Sequence, residues 1–264
     1  MKLNYNFGMK KYRKYIIMAA TLLFSTVKIT YAIDDSWYKA YDTTKKDVYS
    51  YPSFLWNKKA YTIGALAVIG SSLLIDKSVK NFFIHNKNKT ANDIANVVEP
   101  FGNYMVMIPL VSGMSFYGYF TNHKKLKDAS LTSLESGLFA GVMAFGLKTI
   151  VGRERPNYTN SNVHFKPFKI EEKYSSFPSG SATIAWATIT PYAVYYNKPI
   201  LYAIPVMVDV ERLYKNKHWT SDVLAGSFLG FSVGFLLSQN HLKLFGKDIS
   251  IQTDGRSVVL STEF

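Results

Sequence analysis

The sequence predicts an all-α fold, a six-helix bundle with a short C-terminal β-hairpin. Apolar stretches of helical length recur between residues 60 and 239, and Gly and Pro fall at their ends. The tail differs: two short β-prone runs, 249–252 and 257–260, flank Asp254 and Gly255, which is a hairpin signal. Cysteine is absent from the 264 residues, so disulfides, thiolate metal sites and a Cys nucleophile are excluded. With 48% hydrophobic and 19% charged residues, the chain is not of the disordered class.

The N-terminus reads as an export signal. A basic opening, residues 9–15, precedes an uncharged apolar core at 16–27, and Thr30-Tyr31-Ala32 offers the small residues of a cleavage site. The sequence therefore divides into a signal peptide at 1–32, a lead segment at 33–59, a helical domain at 60–240 and a hairpin tail at 241–264. This reading places the mature chain outside the cytoplasm, in a periplasmic or other extracytoplasmic compartment.

Helices are expected at 60–75, 100–122, 130–151, 179–196, 199–213 and 220–239, with a polar, Asn/Lys-rich link at 76–92 and an irregular stretch at 152–177. The uncharged runs 100–122 and 174–197 reach membrane-spanning length, and both are diluted by polar residues, Gly and Pro. Counting six straight passes from an exported N-terminus would also put the chemistry on the inner side. A soluble bundle, or one in peripheral contact with a membrane, is therefore preferred over an integral one.

The formal net charge is +13; without residues 1–32, which carry six cations and no acid, it is about +7. That excess favours anionic partners. The cations are scattered through the signal, the turns and three short clusters, not along one stripe, which argues against nucleic acid.

Those three clusters carry the chemistry. Lys148 and Arg155, followed by Pro156, stand seven apart, so a continuing helix would bring both to one face and let them clamp a tetrahedral anion. Ser179 and Gly180 open an apolar helix, with Ser179 as its N-cap and the following amides pointing at an anion site. Beyond Glu211 and Arg212, His218 and Asp222 are four apart, so the carboxylate can orient the imidazole across one turn. Each cluster alone has a plainer reading: a basic helix end, a capped helix start, or a surface His beside an acid. No group of residues with metal-ligand spacing is visible, and no cofactor is called for.

Taken in order, Lys148 with Arg155-Pro156, Pro178-Ser179-Gly180, and Arg212 with His218 and Asp222 resemble the motifs of the type 2 phosphatidic acid phosphatase superfamily. That group includes acid phosphatases, lipid phosphatases and vanadium haloperoxidases. The resemblance runs over about residues 60–239 and implies a phosphatase-type helical bundle. It implies that Lys148, Arg155 and Arg212 bind phosphate, that Ser179 and Gly180 hydrogen-bond its oxygens, that His218 is the nucleophile, and that Asp222 orients it. It also implies catalysis without a metal, on a phosphorylated small molecule or a lipid headgroup.

This chain departs from the family pattern twice. Ser181 stands where the family has the His that protonates the leaving group, and Glu211 stands where it has Ser. Loss of such an acid costs roughly 10²–10⁴-fold on a poor leaving group. Ser181 itself or His164, in the irregular stretch, is the available substitute. Glu211 is expected either to pair with Arg212 or to repel the phosphate. The function implied is an exported phosphatase working through a phosphohistidine. A pseudo-phosphatase that only binds its ligand and an integral membrane lipid phosphatase are the alternatives. Substrate and oligomeric state are left open.

Overall fold

A computed structural model describes residues 37–244, 249–253 and 258–262, with side chains from 45 to 241. The export signal read at 1–32 lies outside the described residues. The described helices are α1 (Trp37–Asn57), α2 (Lys59–Ser72), α3 (Asp76–His85), α4 (Lys89–Val98), α5 (Tyr104–Phe120), α6 (Lys124–Val151), α7 (Gly180–Tyr196), α8 (Ala203–Tyr214) and α9 (Thr220–Leu244). Strands β1 (Ile249–Thr253) and β2 (Val258–Thr262) pair antiparallel, Ile249 opposite Thr262.

The all-α class and the hairpin therefore stand, but the helix inventory needs three corrections. The segment read as a lead is largely the helix α1. The link read at 76–92 holds α3 and the start of α4. Most of its lysines and asparagines belong to these helices, and Asn88 caps α4 by accepting from the Ala91 amide. The helix expected at 130–151 starts earlier, at Lys124.

Helices α6, α7 and α9 form the centre. Small residues set their spacing. Gly226, Gly230 and Gly234 make one stripe on α9 that faces α7. A Cβ on Gly226 would come within 2.4 Å of the Ser179 carbonyl oxygen, and one on Gly230 within 2.3 Å of that of Thr183. Bare backbone there lets two helices meet at near-contact, the small-residue packing of apolar bundles. The approach matters for the site, because it brings the start of α7 against the start of α9: the Ser179 amide donates to the Asp222 carbonyl at 2.8 Å. Beside this seam, Tyr51, Ala140, Ala144, Ala187, Leu229 and Val233 pack as one core cluster. The Tyr51 hydroxyl is tied to Ser232 Oγ at 2.7 Å.

The outer faces of the described helices carry many exposed apolar side chains. Leu138, Val142, Phe145 and Ile150 on α6 are exposed, as are Ile63, Leu66 and Val68 on α2 and Leu110, Tyr117 and Phe120 on α5. Soluble monomers rarely show so continuous an apolar belt. Residues 124–151 and 220–241 are each long and apolar enough to cross a membrane. Two bent pairs, 59–72 with 76–85 and 89–102 with 104–120, could add two more spans. These helices weigh against the preference for a soluble bundle and suggest membrane association. In the sequence Glu135 and Lys148 bound the apolar stretch of α6 and make it look short, whereas the helix runs on through Glu135, is continuous over 28 residues and so is about 42 Å long. The bends of 59° and 61° in the paired segments also undo the count of six straight passes.

Candidate active site

Helix α6 delivers Lys148 near its C-terminus and then stops. Gly152 sits at φ 58, left-handed, and a Cβ there would lie 1.9 Å from the Lys166 carbonyl oxygen. Only glycine suits that corner. The helix therefore does not continue to Arg155, and the seven-residue spacing is not what brings Lys148 and Arg155 together. Both instead bind the segment around Ser175. Lys148 Nζ donates to the carbonyls of Ser175 at 2.7 Å and Pro178 at 2.5 Å, while Arg155 Nη2 donates to Ser175 Oγ at 3.0 Å. Arg155 Nε is buried with no hydrogen-bond partner among the described residues.

The second cluster behaves as a helix start. Ser179 is the N-cap of α7, in extended conformation, its Oγ accepting from the Ala182 amide at 3.4 Å. Gly180 faces the Lys148 stem: a Cβ there would stand 3.4 Å from Lys148 Cε. The α7 N-terminus and the lysine thus meet, which joins two clusters 30 residues apart in sequence. Ser181, on the next position of α7, lies against Gly102, where an added Cβ would come within 2.8 Å of Ser181 Cβ.

The third cluster holds the imidazole. His218 is buried just ahead of α9, and its Nδ1 lies 2.8 Å from the Ser176 carbonyl oxygen. A carbonyl only accepts, so Nδ1 carries the proton and Nε2 keeps its lone pair. Burial, and then the charges of Lys148, Arg155 and Arg212, hold this histidine well below the usual imidazole range. Those three cations are the ones read from the motifs, and the fold collects them around one ring.

Asp222 is placed differently from the expectation. Its nearest oxygen is 3.9 Å from His218 Nδ1, too far for a direct hydrogen bond. Instead Asp222 accepts from Ser176 Oγ at 2.5 Å and from the Trp219 amide at 2.9 Å. It fixes the segments on both sides of the imidazole, and the Ser176 carbonyl makes the contact with the ring.

Arg153 was not singled out by its motif neighbourhood, yet it is the most fully bonded side chain here. It is buried, and all five guanidinium donors are used. Nη1 donates to Asp222 Oδ1 at 2.6 Å and Ser221 Oγ at 2.7 Å. Nη2 donates to Asp76 Oδ2 at 2.7 Å and the Asn162 carbonyl at 2.5 Å, and Nε to that same carbonyl at 3.0 Å. Asp76, the first residue of α3, also accepts from the Ser221 amide at 2.9 Å and its hydroxyl at 2.8 Å. A buried Asp76–Arg153–Asp222 chain therefore ties the α3 start, the loop and the α9 start together.

Arg212 is shared. Glu211 holds it in a bidentate pair, through Nε and through Nη2 at 2.6 Å, and Glu99 stands 3.3 Å from Nη2. Of the two outcomes expected of Glu211, pairing is the one observed. Burial pushes its carboxyl above the ordinary range, and Arg212 opposes that. His164 is engaged elsewhere: its Nδ1 pairs with Glu154, which also binds Lys173 at 2.9 Å.

Residues 130–245 match the PAP2 superfamily, the type 2 phosphatidic acid phosphatases. A lipid A 1-phosphatase of Rhizobium etli is 25% identical over 196 residues, covering 68% of this chain and 82% of that protein. One from Porphyromonas gingivalis is 26% identical over 184 residues, covering 65% of this chain but only 37% of its own length. Among solved structures, the transmembrane PAP2-type phosphatidylglycerolphosphate phosphatase of Bacillus subtilis aligns with a TM-score of 0.52 at 21% identity. That alignment spans 70% of this chain and 94% of that one, a likeness of fold.

Proposed function

Because residues 130–245 match the PAP2 superfamily, we propose that this chain is a membrane-embedded lipid phosphatase that works through a phosphohistidine on His218. The observation that carries the proposal is the His218 tautomer: a neutral Nε2 lone pair amid Lys148, Arg155 and Arg212. Those cations neutralise a phosphate dianion, and the unpartnered Arg155 Nε is a donor ready for one of its oxygens. The amides at the α7 start supply further donors where charge grows in the trigonal-bipyramidal state. Nε2 attacks phosphorus, the ester P–O bond breaks, and the phosphoryl group passes to the ring. Water then attacks phosphorus, the P–N bond breaks, and inorganic phosphate leaves. The residues named here supply the charge and the nucleophile without a metal ion. The apolar belt and the lipid phosphatases among the relatives favour a lipid phosphomonoester or pyrophosphate as substrate. The basic and apolar opening of the sequence supports an extracytoplasmic active site.

The weak point of this machinery is the leaving-group proton. Ser181 cannot supply it as an imidazolium would, and His164 is held by Glu154. Turnover is therefore expected to depend steeply on the leaving group, fast for aryl esters and pyrophosphates and slow for alkyl esters. Ser181→His should speed alkyl substrates up to about 10²-fold and aryl ones much less, while His164→Ala should change neither. Equal chemistry-limited rates for alkyl and aryl esters in the wild type would remove the missing-acid argument.

A second reading is favoured by one feature, the pairing of Arg212 with Glu211 and Glu99, which lowers the charge open to phosphate. In that reading the protein binds a phosphorylated lipid without turnover. Vanadate separates the two: an enzyme is inhibited by it competitively with substrate. A binder takes up phosphate or vanadate and releases nothing from any ester.

A further inference from the structure

Far from the phosphate site, three helices bring Asp47 of α1, Glu135 of α6 and His241 of α9 together, with one ligand atom from each within 4.8 Å of the others. Along α6, Glu135 is thirteen residues before Lys148, about 20 Å at the helical rise. Along α9, His241 is nineteen residues beyond Asp222, about 28 Å. The cluster thus sits toward the opposite end of the bundle. Sequence spacing hides it, because the three residues are separated by 88 and 106 positions.

We propose that Asp47, Glu135 and His241 form a site for one divalent transition-metal cation of the zinc type, which clamps α1 onto α6 and α9. The first support is the orientation of the ring. Thr132 Oγ1 has one proton and gives it to the Asp128 carbonyl at 2.9 Å. Its contact with His241 Nδ1 at 3.0 Å must therefore be an acceptance, so Nδ1 carries the ring proton. Tyr195 OH stands on the same hydroxyl at 3.1 Å. This is the hydrogen-bonded backing that metal-ligating histidines have, and it aims Nε2 at the two carboxylates.

Distance is the second support. Nε2 lies 3.2 Å from both Asp47 Oδ2 and Glu135 Oε2. A charge-assisted N–H···O bond from an imidazolium is shorter, about 2.7–2.9 Å. Ligands about 2.1 Å from a tetrahedral zinc stand about 3.4 Å apart, close to the observed separation. Asp47 is further fixed by Asn240 Nδ2 on its other oxygen at 2.5 Å. Glu135 is the most accessible of the three ligands and marks the way in for the ion, with water to complete four-coordination. Imidazole with carboxylates suits zinc and its neighbours better than magnesium or calcium, which take oxygen ligands at higher coordination.

The test uses the full chain, purified in detergent, stripped with chelator, incubated with zinc chloride and freed of unbound ion. Mass spectrometry of the metal should find about one equivalent in the wild type, and a tenth of that or less in Asp47→Asn and His241→Gln. Zinc should raise the melting temperature of the wild type and leave that of the variants unchanged. Wild-type protein loaded with cobalt(II) should show the intense visible bands of a four-coordinate nitrogen–oxygen site, a readout that does not depend on any variant folding. The proposal is overturned if the wild type retains no zinc and shows no such bands. It is equally overturned if the variants hold as much zinc as the wild type. Phosphate release is measured in parallel, so a zinc-free variant that still hydrolyses esters leaves the phosphatase reading intact.

Discussion

His218→Ala is expected to lower turnover by roughly 10⁴–10⁶-fold, the scale seen when a covalent nucleophile is removed, while the melting temperature stays near the wild-type value. The side chain lies just ahead of α9, and its described contact is with the Ser176 carbonyl, so its loss leaves the helix seams in place. The mutant should still bind phosphate through Lys148, Arg155 and Arg212. Wild-type-like hydrolysis in the mutant would end the phosphohistidine reading. The same residue sets the acid limb of kcat/KM, which reports the free enzyme. Burial and three cations disfavour the imidazolium. The neutral nucleophile therefore persists to lower pH than a free imidazole, whose midpoint is about 6.5. The acid limb should fall below that value, and a limb above it would place a different group in control.

Arg153→Met should be the most damaging substitution to the fold. It leaves Asp76 and Asp222 buried without their common partner, and breaking a buried pair from one side costs about 3–5 kcal/mol. Thermal unfolding in detergent should register that loss. Adding Asp76→Asn should restore part of it, since one of the two orphaned charges is then removed. Activity should fall with it, because Asp222 positions Ser176 and so the imidazole. A variant as stable and as active as the wild type would show that the Asp76–Arg153–Asp222 chain is ornamental.

The sequence made legible the groups proposed to act on phosphate and much less of what holds them. Lys148, Arg155, Ser179, Arg212 and His218 belong to short motifs in the last half of the chain, and the fold gathers them. The reason offered for Lys148 and Arg155 was nevertheless wrong in geometry, since Gly152 ends the helix between them. Asp222 was read as touching His218 because a four-residue spacing suggests it; the α9 start instead turns the carboxylate toward Ser176 and Arg153. Asp76 was lost inside what looked like a polar link, because one acid among lysines and asparagines carries no sign of burial and its partner is 77 residues away. The apolar belt was underestimated for a related reason: a charge within a long helix, such as Glu135 in α6, looks in a linear window like the end of an apolar run.

The most direct test of the central claim is a rapid-quench experiment on the purified full chain with a radiolabelled lipid phosphomonoester, stopped in alkali and mapped by peptide mass spectrometry. Label on the peptide containing His218, appearing before inorganic phosphate and decaying as phosphate is released, is the result this structure predicts. Steady release of phosphate with no label on His218 at any time, under conditions where added phosphohistidine survives the work-up, would contradict it.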